Sequence, residues 1–490
     1  MDNRTVSLIS VSTSDYPTIP PFDPHHHYPE FPFAQKYISS HPNQVYPGIR
    51  ETFVQLGLDS KNYGTSHWNP LGEFINPGEK VALKPNFVMH ENRSGHSINA
   101  VITHGSVMRA LIDYVLIALK GTGEVSIVDA PQYDADYETI IELSGIKRVV
   151  EELKKRTTVP ITLADLRVEQ AIEKDGLVIE RKKLKGDPHG YVAINLGHKS
   201  FFNSLSTKNL SLRGSDYDGI ETIKHHHHHT HEYLIAKTIL NADVVINIPK
   251  LKTHRKTGVT LCLKNLIGIN GDKNWIPHFR LGGPLKDGDE HSSVSKVRDF
   301  ECMVKDKFKS FVYSAGPVGL YCSRIIRKLQ KSAVDHTHFF DIRGGSWHGN
   351  DTLWRSILDL TTILLYADHS GLLHKEQQRK YFCLIDGVIG GQGDGPYHTL
   401  PMPAGCLIAG SHPVTVDLVA IQFMGLNYQK IPKVAHALQH EIFSPGPGST
   451  IDVRSNHEEW KTLLSQGKAC VHFLPPLSWK GHIELENTER

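Results

Sequence analysis

The sequence predicts an α/β fold in which a mostly parallel sheet is flanked by helices, with a helical insertion and an irregular N-terminal segment. Continuous apolar runs rich in β-branched residues, such as "ADVVINIPKL", lack the polar alternation of half-exposed strands. Such runs are typical of strands that are covered on both faces. Helical patterns such as "HGSVMRALIDYVLIALKG" lie between them, and this alternation indicates a parallel sheet with helical crossovers.

In chain order, strands are predicted in "TVSLISV", "EKVALKP", "EVSIVDAP", "TVPITLADL", "YVAINL", "ADVVINIPKL" and "YFCLIDGVIG". Helices are predicted in "HGSVMRALIDYVLIALKG", "EYLIAKTILNA", "TLWRSILDLTTILLYAD" and "HPVTVDLVAIQFMG". The predicted organisation is a strand plus an irregular His- and Pro-rich segment (1–78), a first part of the α/β core (79–283), a loop and helical insertion (284–350), and a second part of the core with a C-terminal tail (351–490).

The composition limits the class of protein. The 490 residues are 39% hydrophobic, which suits a globular chain with a sizeable core. Lys+Arg at 54 against Asp+Glu at 52 leave a net charge of +2. No nucleic-acid partner is therefore expected, and any attraction for anions must be local. Six cysteines without a CxxC pair argue against a disulfide framework and an iron–sulfur cluster.

The chain is predicted to be cytoplasmic, because its first residues lack an apolar stretch of signal-peptide length. The charge-free, apolar-leaning run "SFVYSAGPVGLYCS" is shorter than a spanning helix. Its flanks are basic, so residues 305–331 are a candidate for peripheral membrane contact. The alternative is a helical hairpin packed on the sheet. The sequence holds no signal for an oligomeric state.

Charged residues stand where four of the predicted strands end. In open α/β sheets, ligands bind beyond the carboxyl ends of the strands, so residues at these ends are expected to converge on one site. The predicted catalytic residues are Lys84, Asp129, Lys250, Lys252, His254 and Asp386.

Residues 248–278 carry five lysines, an arginine and two histidines among apolar residues. Lysines at a strand end, followed by the amides of a helix N-terminus, form a receptor for phosphate or carboxylate groups. An anionic small molecule is therefore the predicted ligand. The alternatives are a carboxylate cluster of the protein itself and a solvated basic loop. Further predicted binding residues are Asn86, Lys264, Asn265, Gly393 and Gly395.

The glycine-rich stretch "GGQGDGP" (390–396) is a weak phosphate-loop signal. It lacks the GK[ST] ending of a Walker A sequence, and no GxGxxG opens a helix after the first strand. Its glycines are better explained by close approach of the backbone to a ligand or to another loop.

Many of the 31 histidines are clustered, in "DPHHHYPE" and in "IKHHHHHTHEY". Imidazole binds zinc, copper, iron and nickel, so a divalent or transition metal ion is a predicted cofactor. Three observations argue against a functional metal site. A histidine run binds metal adventitiously, and no HExxH motif is present. A single histidine at the start of a helix is most often a cap. The predicted metal ligands are His104, His229, His231, His278 and Asp394.

Several blocks resemble a family of domains of unknown function, DUF362. They are "VALKPNFV", "HGSVMRALI", "VSIVDAPQYDADYETIIELSGI", "ADVVINIPKLKTHRKTGVTLCLKNLIGINGDK", "LIDGVIGGQGDGP" and "AGCLIAGSHPVTVDLVAIQFMGL". The blocks "KNWIPH" and "WHGNDTLWR" look like a longer subgroup associated with polysaccharide or specialised-metabolite genes. Where relatives tend to carry an acidic residue in the glycine loop, this chain has Gln392, followed by Asp394. The resemblance implies the architecture, but the family has no settled reaction.

Two hypotheses of different classes follow. The first is a metal-assisted enzyme of a biosynthetic pathway that acts on a sugar phosphate, a nucleotide sugar or a carboxylate metabolite. Its lysines neutralise the anion, a carboxylate holds a divalent ion or acts as base, and a histidine is the acid–base partner. A buried lysine beside other cations can also act as base or nucleophile. The second is a non-catalytic metal- or polyanion-binding protein. An enclosed pocket favours the enzyme, and an open basic surface favours the binder.

Overall fold

The computed structural model describes residues 2–174, 177–205, 210–214, 219–314, 318, 344–445 and 450–486. It confirms the predicted α/β fold. The strands are β1 (Thr5–Ser10), β2 (Lys80–Pro85), β3 (Glu124–Asp129), β4 (Ile161–Asp165), β5 (Glu169–Lys174), β6 (Leu177–Lys183), β7 (Tyr191–Asn195), β8 (Leu212–Arg213), β9 (His226–His227), β10 (Thr230–Ala236), β11 (Val244–Ile248), β12 (Lys250–His254), β13 (Gly258–Val259), β14 (Phe279–Arg280), β15 (Lys380–Asp394), β16 (His398–Met402), β17 (Cys406–Gly410) and β18 (Asp452–Ser455).

The central sheet has the strand order β18-β1-β17-β15-β11-β2-β3-β4. From β15 to β4 all neighbours are parallel. Strand β17 runs antiparallel to both of its neighbours, β15 and β1. The second half of the long strand β15 pairs in parallel with β12 and forms a hairpin with β16. The sheet is therefore mostly parallel, and the carboxyl ends of β2, β3 and β11 lie at one edge.

Helices cover both faces of this sheet. They are α1 (Val45–Gln55), α2 (Gly105–Leu119), α3 (Tyr137–Leu143), α4 (Ile146–Leu153), α5 (Gly219–His225), α6 (Lys237–Leu240), α7 (Leu261–Asn265), α8 (Lys296–Ser314), α9 (Leu353–Tyr366), α10 (Pro413–Phe423), α11 (Pro432–Gln439) and α12 (Glu458–Ser465). Val81 and Leu83 join a core with α1 to α4, whereas Ala82 between them joins a core with α7, α9, α10 and α11. Both faces of the strand are buried, which explains its uninterrupted apolar sequence.

Three smaller sheets flank the centre. They contain β7-β10-β9, β8-β14 and β5-β6. The prediction of a helix in "EYLIAKTILNA" was wrong for its first half, because residues 230–236 form β10 and only Lys237–Leu240 is helical. Residues 230–235 alternate between partly buried and buried, as expected for a strand, and β10 pairs with β7. Strand β17 is fully buried and was not predicted.

The irregular path between β1 and residue 44 and the helix α8 of the insertion match the prediction, whereas the helix α1 (Val45–Gln55) was not predicted. Between β1 and α1 the regular structure described is a short 3-10 helix, Gln35–Tyr37. In the insertion, α8 exposes Val297, Phe300, Val304 and Phe311. Most of the segment proposed for membrane contact, residues 315–317 and 319–331, lies outside the described residues. Within the described ranges, no helix is both long and apolar enough to cross a membrane. Membrane contact and the domain boundaries stay predictions.

Candidate functional site

The ends of the neighbouring strands β2 and β3 hold a buried ion pair. Lys84 Nζ lies 2.7 Å from Asp129 Oδ1, and both side chains are almost fully shielded from solvent. The second oxygen of Asp129 accepts a hydrogen bond from the Phe87 amide at 2.7 Å, and Lys84 also donates to the Pro85 carbonyl at 2.9 Å. Burial lowers the pKa of Lys84, and Asp129 partly offsets this shift.

The backbone at Gly268 passes directly against this pair. A Cβ atom there would clash with Asp129 Oδ1 and would lie 2.6 Å from Lys84 Nζ. The Gly268 carbonyl also accepts a hydrogen bond from the Ala130 amide at 2.9 Å. The site therefore requires glycine at 268, a residue that the sequence analysis did not single out.

A second buried pair joins β12 to β15. Lys250 stands opposite Asp386 in the strand register, and its Nζ lies 3.1 Å from Asp386 Oδ2. The Tyr16 hydroxyl donates to Asp386 Oδ1 and accepts from Lys250 Nζ at 2.5 Å. The His104 amide donates to Asp386 at 3.0 Å, and the His104 ring stacks on Tyr16 at 4.1 Å. Tyr16 was missed because it comes from the irregular segment, where no periodic pattern marks it.

Two further lysines are buried with only carbonyl partners among the described residues. Lys252 Nζ donates to the Val101 carbonyl at 2.5 Å, and Lys273 Nζ donates to the Ile267 carbonyl at 3.2 Å. Burial lowers the pKa of Lys252 well below its usual value, and Lys264 and Lys250 lower it further. Burial likewise lowers the pKa of Lys273 to about 7. Lys273 was not among the predicted site residues.

Lys264 differs from these four lysines in having no hydrogen bond or ion pair among the described residues. It lies on the short helix α7 and keeps part of its side chain accessible. The packing around it is still dense, so that burial is the largest cause of its lowered pKa, about 7. The positive charges of Lys433 and Lys84 add to the shift, and Asp129 opposes it. About half of the Lys264 amine is therefore neutral near pH 7.

Two asparagines connect α7 to the end of β2. Asn265 Nδ2 donates to the Lys84 carbonyl at 3.2 Å and to Asn247 Oδ1 at 2.8 Å. Asn86 Nδ2 donates to Asn265 Oδ1 at 2.8 Å, whereas Asn86 Oδ1 is buried and accepts no hydrogen bond from the residues that the structure describes. These amides hold Lys264 in place beside the first ion pair.

The predicted histidines His254 and His278 lie beside the same lysines. His254 Nδ1 accepts from the Lys256 amide at 3.1 Å, and His278 Nδ1 lies 2.8 Å from the Ile276 carbonyl. Burial lowers the pKa of both rings well below 6.5, and the charge of Lys264 adds to the shift in each. Both imidazoles are therefore neutral near pH 7.

All of these side chains lie at one end of the central sheet. We call the following residues the lysine cluster: Lys84, Asp129, Lys250, Lys252, Lys264, Lys273 and Asp386. The alternative of a solvated basic loop is excluded, because Lys250 and Lys252 are completely buried. The carboxylates of Asp129 and Asp386 compensate two of the five lysines. Lys252 and Lys273 donate to backbone carbonyls, and Lys264 has no partner in the described part of the chain.

The helix N-terminus of the predicted anion receptor is already occupied. Asp417 accepts hydrogen bonds from the Cys262 amide at 2.7 Å and from the Leu263 amide at 3.2 Å. Lys433 Nζ lies 3.6 Å from the same carboxylate. The amides of α7 are therefore satisfied by the protein itself, and the lysine side chains are the groups that remain for an anion.

The glycine loop (390–396) contacts the lysine cluster on one side, since Lys252 Nζ also donates to the Pro396 carbonyl at 3.3 Å. The Gly393 amide donates to the Leu474 carbonyl at 2.8 Å, and Asp394 accepts from the Leu477 amide at 2.9 Å, so the glycine loop contacts the C-terminal tail. A Cβ at Gly395 would clash with the Thr253 carbonyl, which confirms a close approach of two backbones.

The predicted metal ligands are distributed over the molecule. His104 caps α2, and its Nδ1 accepts a hydrogen bond from the Ser106 amide at 3.2 Å. Of the five predicted metal ligands, His104 and His278 are the two that lie near the lysine cluster. His229 and His231 belong to the β9–β10 hairpin. In the ranges that the structure describes, no three His, Cys, Asp or Glu side chains are close enough together to hold a metal ion.

Comparison with protein-family models gives one match. The model described as "Domain of unknown function (DUF362)" matches residues 81–176 and 157–422, more than two thirds of the chain. The chain belongs to the DUF362 family. The match confirms the predicted resemblance, whereas the subgroup stays a prediction. The DUF362 match includes the whole lysine cluster but not Tyr16. No curated protein and no solved structure matches the chain.

Proposed function

We propose that the protein is an enzyme that binds an anionic small molecule at the lysine cluster and uses Lys264 as a base or nucleophile. A sugar phosphate, a nucleotide sugar or a carboxylate metabolite of a cytoplasmic biosynthetic pathway fits this chemistry. The observation that carries the proposal is that the Lys264 amine has no partner among the described residues, whereas the buried lysines around it are partnered.

The charge distribution supports the anionic ligand. Lys84 and Lys250 each have a carboxylate partner, whereas Lys252 and Lys273 have only carbonyl partners in the described residues. Like charges at close range in a poorly solvated site repel each other strongly. A bound phosphate or carboxylate would reduce this repulsion and would accept charge-assisted hydrogen bonds.

The state of Lys264 supports an enzyme rather than a simple binder. A protein that only captures anions is served best by ammonium groups that stay charged. Burial and neighbouring cations instead lower the pKa of Lys264 to about 7. A pKa near the working pH is what a general base requires, and a neutral amine is what a lysine nucleophile requires.

Metal assistance stays a prediction from the histidine content. The five predicted ligands do not converge, so no step of the proposed function passes through a metal ion.

The test is calorimetric titration with sulfate, which keeps one charge state between pH 6 and pH 9. We expect wild-type protein to bind sulfate more tightly at pH 6 than at pH 9, because Lys264 is protonated only at the lower pH. Lys264→Met should weaken binding at pH 6 and reduce the pH dependence, and the remainder should come from Lys273, whose pKa is also about 7. Lys480→Met, at an exposed lysine far along the chain, is the matched control. Absence of sulfate binding by the wild-type protein would refute the proposal.

A further inference from the structure

We propose that Lys264 forms an imine with the carbonyl group of an anionic aldehyde or ketone, an inference that rests on the proposed anion site and names its substrate class. The amine is the only lysine nitrogen of the lysine cluster that is without a hydrogen-bond acceptor in the described residues.

The partners of the other lysines make them poor nucleophiles. Lys84 and Lys250 are held in ion pairs with Asp129 and Asp386. Lys252 and Lys273 donate to backbone carbonyls, which orient their hydrogens and hold each nitrogen in place. Among the five lysines of the lysine cluster, as far as the described residues show, Lys264 is the one whose lone pair can turn toward an incoming carbon atom.

Hydrogen bonds hold the backbone around Lys264, although its amine has no hydrogen-bond partner in the described part of the chain. Its neighbour Asn265 is bonded to the Lys84 carbonyl and to Asn247, and the start of α7 is bound by Asp417. Lys264 also keeps an accessible part of its side chain, which the fully buried Lys84, Lys250 and Lys252 lack. The amine can therefore react without first breaking a hydrogen bond or an ion pair to the described residues.

The step is balanced without an external oxidant or reductant. The Lys264 lone pair forms a bond to the carbonyl carbon, and the carbonyl oxygen takes up protons and leaves as water. The nitrogen then forms the C=N double bond and carries one positive charge, so the net reaction consumes one amine, one carbonyl and one proton and releases one water.

The positive charge of the iminium explains why the substrate should be an anion. A positive iminium beside Lys84 and Lys433 is disfavoured by repulsion, as the protonated amine is. A phosphate or carboxylate on the substrate brings its own negative charge into the lysine cluster. A neutral carbonyl compound lacks this compensation and should react far less.

The experiment compares glycolaldehyde phosphate with glycolaldehyde, two probes that differ only in the phosphate group. Each is incubated with the full chain at pH 7, the imine is reduced with borohydride, and the labelled lysines are found by peptide mass spectrometry. We expect glycolaldehyde phosphate to label Lys264 on the order of a hundredfold faster than an exposed lysine such as Lys480. Sulfate should suppress the label.

Lys264→Arg keeps a cation but cannot form an imine, and it should lose the label. Lys273 is the internal control, because its pKa is equally low while its nitrogen is hydrogen-bonded. Equal labelling by the neutral probe, or labelling of Lys273 instead, would overturn the imine. Sulfate binding without a label on Lys264 would also overturn it and leave the anion site and a role as base standing. Failure to bind sulfate at all would refute both proposals.

Discussion

The lysine cluster and the histidine hairpin (β9, its turn and β10) are both rich in nitrogen side chains, but they are built differently. The lysines come from β2, β12, α7 and the loop after it, and they meet because the strands end at one edge of the sheet. The histidines are adjacent in the chain. His226 and His231 face each other as buried cross-strand partners, whereas His227, His228 and His229 are exposed.

This difference shows why local enrichment is a poor guide to a site. Neighbouring residues of a strand point to opposite faces, so a run of histidines divides itself between core and solvent. Convergence requires residues that are distant in the chain and close in the fold. The lysine cluster meets this requirement, and its geometry should be far more sensitive to substitution than the hairpin.

The largest effect is expected for Asp129→Asn, which leaves buried Lys84 without a counter-charge. The amide is isosteric, so the change acts mainly on charge. Removing one partner of a buried ion pair costs about 3–5 kcal/mol, and we expect the free energy of unfolding in urea to fall by that amount. Glu124→Gln, at the other end of the same strand, breaks a surface pair with Lys80 and should cost about 1 kcal/mol or less.

The double variant Lys84→Met, Asp129→Asn sharpens this result. Without the buried ammonium, most of the lost stability should return. If the double variant is as unstable as Asp129→Asn alone, the loss arises from packing or from the Phe87 hydrogen bond rather than from the unpaired charge.

The next effect concerns the pH dependence of stability. Lys264 has a pKa of about 7 in the folded protein and 10.5 as its usual value. Between these two values the unfolded chain binds more protons, so the free energy of unfolding rises with pH across this range. Lys264→Met should flatten the rise and should stabilise the protein at pH 6 by about 1–4 kcal/mol.

Lys433→Met is the matched variant, because Lys433 is also buried but pairs with Asp417 at 3.6 Å. Its loss leaves a buried carboxylate uncompensated, so the same type of substitution should destabilise the protein. Urea unfolding of both variants at pH 6 and pH 9 measures the contrast. Equal destabilisation by the two variants would show that Lys264 has a stabilising partner after all.

A smaller effect is expected for Tyr16→Phe, which removes the hydroxyl shared by Asp386 and Lys250. The loss of a hydrogen bond to a buried charged group should cost about 1–3 kcal/mol. Tyr46→Phe is matched, since Tyr46 also donates to a buried carboxylate, Asp113, at 2.8 Å. Only Tyr16→Phe should also alter sulfate affinity. Equal affinities in both variants would assign Tyr16 a purely structural role.

The central fold could be predicted from the sequence because strands buried on both faces have an unmistakable apolar pattern. The helix that was wrongly predicted over β10 shows the limit of prediction from local sequence. "EYLIA" is apolar in either conformation, and its strand state depends on pairing with β7, which is distant in sequence. Pairing of that kind is a tertiary effect that local propensity does not contain.

The residues of the lysine cluster at strand ends were predictable for the same reason as the strands. Tyr16 was not, because its place beside Asp386 depends on the path of an irregular segment across the molecule. The sequence also could not predict that Lys264 has no acceptor among the described residues, since this depends on the position of every neighbouring side chain. The sequence pattern thus predicts which residue types stand at the site. The protonation state of each side chain depends on how its neighbours pack around it, and the sequence pattern does not contain that information.

The smallest effect should come from the histidine hairpin. Strands β9 and β10 are joined by a two-residue turn, and His228 adopts a φ of 49°, in the left-handed region. Turns with a positive φ at the first central position favour glycine there, because a Cβ atom is strained in this conformation. His228→Gly should therefore stabilise the protein by about 0.5–1 kcal/mol in thermal or urea unfolding. At the next position φ is not positive, so His229→Gly should destabilise slightly, through the added entropy of the unfolded chain. If both variants lose stability, the turn differs from the one described, and the hairpin is held by its histidine side chains rather than by its backbone.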